Sequence, residues 1–332
     1  MAEKIVAWKD IEDKFNGTIL LGNGASISVN KSFEYRSLKQ QAIDRGLLTS
    51  DVQHIFDFFD TDDFELVLRI VWQATNVNEA LGIKDDKTES SYGRVRDSLI
   101  SAVRHIHPGH GEVFDKIKLI HGFIKKFNRI ISLNYDLLIY WAVMHGNNNE
   151  NDNPTLKDCF VNSKFDDDWQ RFEEPIGTQK QCSLVFYPHG NLVLARDKTE
   201  NERKISASGD RLLECILQKW KNGSCVPLFV SEGTSEQKQK SIQSSYYLNT
   251  VYREVLAKLS DNLTIYGWGF DEHDMHILKR ISLSGIKRVA VSVYKKDQAF
   301  CSHAHQILVD QLGKDCEITF FDSESEGSWI HA

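Results

Sequence analysis

The final third of the chain alternates short apolar runs with longer amphipathic ones: Leu263 to Tyr266, Glu272 to Leu283, Val289 to Val293, His303 to Leu312 and Ile318 to Phe321. Runs of four or five mostly apolar residues read as strands buried on both faces. When such strands are joined through helices, each crossover returns the chain to the same end of the sheet, and the strands pair in parallel. The pattern predicts an α/β fold, a parallel sheet with helices on both faces.

Upstream, a short helix-like segment from Trp8 to Phe15 is stopped by Asn16-Gly17 ahead of the first strand, Thr18 to Leu21. From Ser37 to Phe127 the chain reads almost wholly helical, with apolar residues at three and four spacing over Asp51 to Phe59, Asp63 to Thr75, Tyr92 to Ile106 and Val113 to Phe127. Gly46, the polar linker Lys84 to Ser90 and His107-Pro108-Gly109 are the expected breaks. One crossover helix needs far less chain, so residues 37–127 are expected to form a helical lobe inserted after the first strand, within a domain built from 1–36 and 128–332. Beyond it, Arg129 to Ser132 returns to β character, Tyr135 to Met144 reads as a helix, and Asn147 to Pro154 reads as a surface loop. Strands are expected on either side of His189-Gly190 and at Val226 to Val230, with helices over Arg211 to Lys221 and across Glu236 to Leu259.

With 332 residues the chain can bury a large core, and its formal net charge of −7 comes without a long basic run. That balance speaks against direct nucleic-acid binding. No apolar stretch reaches the roughly 20 residues that span a bilayer, and Met1-Ala2-Glu3-Lys4 lacks the apolar core of a signal peptide, so the expected location is the cytoplasm. The six cysteines include no Cys-x-x-Cys pair and are expected to be reduced, mostly buried thiols.

Four short segments carry the polar chemistry. In the first, Leu20-Leu21-Gly22-Asn23-Gly24-Ala25-Ser26 leaves a strand through Gly22 and Gly24, and bare backbone there can approach a pyrophosphate closely. Ile27 stands where the dehydrogenase fingerprint has its third glycine, and Ser26 either bonds a phosphate or caps the next segment. The second, Ser132-Leu133-Asn134-Tyr135-Asp136, puts two polar side chains at the carboxyl end of a strand, the edge where open α/β sheets hold ligands. Asn134 suits ribose hydroxyls, while Asp136 either holds a carboxamide or caps the following helix. The third, Tyr187-Pro188-His189-Gly190, exposes an imidazole at a turn, the natural general base near neutral pH. The fourth, Ile265-Tyr266-Gly267-Trp268-Gly269-Phe270-Asp271, repeats the strand-then-glycine pattern, and Asp271 with Asp274 has the look of a helix cap.

In this order the four segments resemble the sirtuin-like family, in particular its divergent prokaryotic branch that acts on NAD in anti-phage defence. The resemblance implies a modified Rossmann sheet. It implies that Gly22, Asn23, Gly24, Ala25 and Ser26 line the pyrophosphate, that Asn134 holds the nicotinamide ribose with Asp136 near the carboxamide, and that His189 is the catalytic base. It places Gly267, Trp268, Gly269 and Phe270 at the adenosine half, and Arg36 in the arginine place of the mobile cofactor loop. Sirtuin deacylases hold a structural zinc with two Cys-x-x-Cys pairs, and this chain has neither. The expected activity is therefore NAD glycohydrolase chemistry, releasing nicotinamide and an ADP-ribose product, with NAD as substrate and no metal. A cofactor-destroying enzyme without a sensor of its own is expected to work in an oligomer or hetero-complex with an activator; in the resembled family such partners include short Argonaute proteins, ring ATPases and nucleotide-sensing proteins.

A non-catalytic sensor of NAD, ADP-ribose or a related nucleotide is the alternative, and it needs the glycine turns but not a base. His105, His107 and His110 read as a helix end and turn, Asp166 to Asp168 as a solvated loop, and His273 with His276 as surface residues lacking a third convergent ligand.

Overall fold

The computed structural model describes residues 3–34, 37–148, 153–175, 179–230 and 232–331. Its strands are β1 (Ile5–Val6), β2 (Thr18–Leu21), β3 (Arg129–Ser132), β4 (Thr155–Lys157), β5 (Phe160–Val161), β6 (Lys164–Phe165), β7 (Cys182–Phe186), β8 (Gly190–Arg196), β9 (Glu202–Lys204), β10 (Val226–Phe229), β11 (Asn262–Tyr266), β12 (Arg288–Val293) and β13 (Glu317–Asp322). Its helices are α1 (Asn23–Val29), α2 (Leu38–Asp44), α3 (Ser50–Phe58), α4 (Phe64–Leu81), α5 (Asp86–Ile106), α6 (His110–Ile124), α7 (Leu138–Asn147), α8 (Leu212–Lys221), α9 (Ser235–Gln243), α10 (Tyr246–Thr250), α11 (Met275–Ile281) and α12 (Gln298–Leu312).

Eight strands form one sheet in the order β1-β13-β12-β11-β2-β3-β7-β4, and every neighbouring pair is parallel. Every residue of β2 and β11 is buried. Successive side chains of a strand point to opposite faces, so unbroken burial means that both faces are covered. The fold is the expected Rossmann-like α/β class. From β2 the chain moves outward through β3 to β7 and β4, whereas β11 starts a run in the other direction through β12 and β13. The winding reverses between β2 and β11, and at such a point loops diverge from the carboxyl ends of adjacent strands and leave a crevice.

Between β2 and β3 the chain forms α1 and then the five helices α2 to α6. Within this region α5 packs on α2 and α4, and α6 lies along α7. Phe56, Phe64, Trp72 and Leu99 of this region join one continuous apolar core with the sheet residues Ile19, Ile131 and Ile265. The polar stretch expected as a linker is largely helical: α5 begins at Asp86, where the Asp85 carboxylate accepts the Lys87 N–H at 3.1 Å. The segment from Trp8 to Phe15 is two short 3-10 turns, preceded by the edge strand β1 that its two residues did not announce. Trp8 packs against Phe321 at 4.8 Å and Phe123 at 5.5 Å, tying this segment to β13 and α6.

The strand after His189, β8, leaves the large sheet and pairs antiparallel with β10 and β9. No helix among the described residues is long and apolar enough to cross a membrane. All six cysteines are free, with Cys159 and Cys301 buried and the other four half-buried. Residues 149–152 of the expected surface loop lie outside the described residues.

Candidate active site

The turn after β2 and the turn after β11 close on each other. Gly22 donates its N–H to the Tyr266 carbonyl at 2.9 Å, and Gly24 donates to the Gly267 carbonyl at 2.7 Å. A side chain on Gly22 would stand 2.6 Å from Trp268 Cα, and one on Gly24 2.8 Å from the Gly267 oxygen. Gly267 has φ +67°, and a Cβ there would overlap the Ala25 amide nitrogen. The glycines are thus required by the contact between two backbones. The N–H groups of Gly22 and Gly24, read from sequence as donors for a pyrophosphate, are already used within the protein.

Gly22, Asn23, Gly24, Gly267, Trp268 and Gly269 line a crevice of about 1530 Å³. Ala25, Ser26 and Phe270 do not line it; all three are buried behind its wall. Phe270, at φ +59°, turns back under Trp268 with ring centroids 4.6 Å apart. Ala25 is fixed through its carbonyl, which accepts the Trp329 Nε1–H at 3.0 Å. Arg36 lies outside the described residues.

Asn134 and Asp136, at the carboxyl end of β3, form a network with Ser26. The Asn134 amide nitrogen donates to the Gly22 carbonyl at 3.0 Å and to Ser26 Oγ at 2.9 Å. Ser26 donates in turn to Asp136 Oδ2 at 2.5 Å, while Asp136 Oδ1 accepts the Leu138 N–H at 2.9 Å. Asp136 therefore caps the start of α7, one of its two sequence readings, and still borders the crevice. Burial pushes its carboxyl above the usual range, against the hydrogen bonds from Ser26 and Leu138. Asn134 is half-exposed and also lines the crevice.

His189 enters from the third segment. Gly190 follows it at φ +77°, where a Cβ would overlap the Leu228 carbonyl, so the glycine permits the sharp turn from β7 into β8. The imidazole is 3% exposed and lines the same crevice as Asn134. Its Nε2 lies 3.0 Å from His276 Nε2 and 4.0 Å from Asp274 Oδ1. Burial pushes His189 down to about 3 and His276 down to about 4, against the pull of Asp274. Both rings are neutral at pH 7. Burial works to raise Asp274, yet His189 and the Lys238 ammonium, 2.8 Å from Oδ1, hold it below its ordinary value.

His276 was expected at the surface and is instead 3% exposed. It opens α11 directly after the Asp271–Asp274 turn, which turns the ring inward onto His189. Neither Asp271 nor Asp274 makes the side-chain capping bond that their spacing implied, and Asp274 uses its carboxylate on Lys238. Sequence reasoning also missed Lys238 and Glu232. Glu232 is buried in the crevice wall, accepts the Leu38 and Lys39 N–H groups, and is pushed by burial up to about 8. No short motif marks either residue; Glu232 reaches the start of α2 from the loop before α9, and Lys238 reaches Asp274 from α9, which packs on α11. His107, by contrast, is a buried structural residue, its Nε2 accepting the Leu137 N–H at 2.9 Å.

Eight acidic residues and four lysines line the crevice, and although Glu232 keeps its proton at neutral pH the balance favours a ligand with a cationic centre over a polyanion. Crevices holding drug-sized ligands run about 300–1,000 Å³, so the space admits a larger molecule. A family model described as a domain of unknown function (DUF4917) matches residues 19–329. No curated protein matches the chain.

Proposed function

The chain belongs to the family described as a domain of unknown function (DUF4917), and for it we propose hydrolysis of NAD to nicotinamide and an ADP-ribose product. The observation that carries this reading is the meeting of Asn134 and His189, from segments 55 residues apart, in one crevice at the reversal point of a parallel sheet. The ordered resemblance to the sirtuin-like family supports it further.

The chemistry asks little of a base. The bond from ribose to the pyridinium nitrogen breaks with its electrons going to nitrogen, nicotinamide leaves neutral, and the sugar becomes oxocarbenium-like. Water then adds to the sugar carbon and loses one proton. A neutral, low-pKa imidazole at His189 takes that proton late, when the attacking water has become strongly acidic, after Nε2 is released from its 3.0 Å contact with His276. The Asn134 carbonyl oxygen orients the ribose or the water, since its nitrogen is held by Gly22 and Ser26. Carboxylates on the crevice wall, Asp274 among them, favour both the pyridinium and the positive sugar.

Such an activity depletes NAD and needs restraint, so the reading includes a separate activator or sensor protein and an oligomeric or hetero-complex working form, serving defence against phage in the cytoplasm. Chromatography of NAD after mixing the protein with its co-encoded proteins and infected-cell extract tests it. Nicotinamide release that falls at least a hundredfold in Asn134→Ala and His189→Ala supports the assignment. Full release by both variants refutes the site.

One observation favours a second reading, a nucleotide sensor without turnover: Asn134 Nδ2 and His189 Nε2 are both engaged by protein groups. Calorimetric binding of NAD with no nicotinamide released in the same complete mixture selects it.

A further inference from the structure

We propose that His189, His276 and Asp274 form a binding site for a divalent transition-metal ion of the zinc class. His276 lacks a third convergent ligand in the sequence around it, and the fold supplies two partners: His189 from the β7–β8 turn and Asp274 from its own turn. The two Nε2 atoms lie 3.0 Å apart, Asp274 Oδ1 lies 4.0 Å from His189 Nε2, and the three ligand atoms all lie within 4.8 Å of one another. Tetrahedral zinc, bonded at roughly 2.0–2.2 Å, holds neighbouring ligand atoms about 3.3–3.5 Å apart. The observed spacings bracket that edge, and a small rotation of the Asp274 carboxylate closes the set.

The His276 ring is also held by the nitrogen turned away from the pair. Ser235 Oγ lies 3.1 Å from His276 Nδ1, and the backbone carbonyls of Leu133 and His273 face the His189 and His276 rings respectively. In the tautomer that carries each ring proton on the nitrogen turned away from the pair, both Nε2 atoms keep a lone pair. A cation then bridges two Nε2 atoms that already stand 3.0 Å apart; in the other tautomer one Nε2–H donates to its partner, and the ion takes the place of that proton. Ligand imidazoles in metal sites are oriented in this way, by a hydrogen bond from the other nitrogen.

Lys238 is the competitor. Its ammonium, 2.8 Å from Asp274 Oδ1, is the cation that an incoming ion displaces. His189, Asp274 and Lys238 all line the crevice, which gives the ion its route in. Two imidazoles with a single carboxylate select zinc and its transition-metal neighbours over magnesium or calcium. The site stands independently of the glycohydrolase reading; one consequence rests on it. An ion on His189 Nε2 takes up the lone pair that water's proton needs, so the loaded protein is the silent one.

The test titrates metal-free full-length protein with cobalt(II), read by visible absorption, and with zinc(II), read by equilibrium dialysis and elemental analysis. The wild type is expected to show the ligand-field bands of a four-coordinate site and to retain a single zinc ion per chain. Affinity is expected to fall tenfold or more in His276→Ala and in Asp274→Asn, and to rise in Lys238→Met. Absence of those bands in the wild type overturns the proposal, as does zinc retention unchanged in folded His276→Ala, which would assign the ion to surface histidines. If thermal melting shows His276→Ala to be unfolded, Asp274→Asn carries the same comparison. Nicotinamide release enters none of these measurements, so a failure of the glycohydrolase reading is told apart from a failure of the metal site.

Discussion

The Gly24 N–H donates to the Gly267 carbonyl at 2.7 Å, and this bond makes the turn after β2 and the turn after β11 a single unit. The two strands pair directly, Tyr266 opposite Leu21, so the crevice floor is set by backbone contact before any side chain takes part. Of the polar groups above it, Asn134 is held directly by that floor through the Gly22 carbonyl, while His189 is held by His276 from α11.

Gly267→Ala tests this dependence. The substitution puts a Cβ at φ +67° and against the Ala25 amide, so it meets both left-handed strain, about 1–2 kcal/mol, and overlap with backbone that cannot swing aside. Urea unfolding is expected to show a loss of about 3 kcal/mol or more. Gly285→Ala is the control: also left-handed, at φ +75°, but in open space, it is expected to lose only the strain.

Asn134→Ala removes the amide that spans Gly22 and Ser26. Because the residue is half-exposed and water can replace part of what is lost, a stability cost of about 1 kcal/mol is expected. The activity of an activated mixture is expected to fall a hundredfold or more, far beyond what that stability change explains. A loss of nicotinamide release that tracks the unfolded fraction would make Asn134 a structural residue alone.

The sheet was legible because β2, β3, β11, β12 and β13 are each apolar over consecutive positions, a pattern that survives without knowledge of neighbours. The glycines were legible as turns, but not their purpose, since the carbonyls that consume the Gly22 and Gly24 N–H groups come from residues more than 200 positions away. His276 was misread because a histidine at the start of a short helix looks solvent-facing until His189 is placed against it. Glu232 and Lys238 gave no local signal; their partners, the Leu38 N–H and Asp274, are brought to them only by the tertiary fold. The short edge strands β1 and β4 were missed because two or three residues carry no period.

Glu232 should make the protein less stable as the pH rises. Its carboxyl ionises near 4.5 in an unfolded chain and at about 8 when folded, so between those values the folded state holds the extra proton. Its contribution is complete below about 4.5 and is lost as pH climbs through about 8, at roughly 1.4 kcal/mol per pH unit. Urea unfolding at pH 6 and pH 8 should show this slope, flattened in Glu232→Gln. The amide oxygen of that variant still accepts the Leu38 and Lys39 N–H groups.

His107 acts in the opposite direction. Burial lowers it to about 4, while an unfolded histidine titrates near 6.5, so between those values the unfolded chain binds the extra proton. Stability is retained above about 6.5 and falls as the pH drops towards about 4, by roughly 2 kcal/mol between pH 7.5 and 5.0 for this one group. The cause is specific: a proton on Nε2 would destroy the acceptor of the Leu137 N–H at the start of α7, next to Asp136. His107→Gln keeps an acceptor without titrating. Its unfolding free energy is expected to vary about 2 kcal/mol less over that interval than the wild type's, and equal slopes for the two proteins would remove His107 as the source.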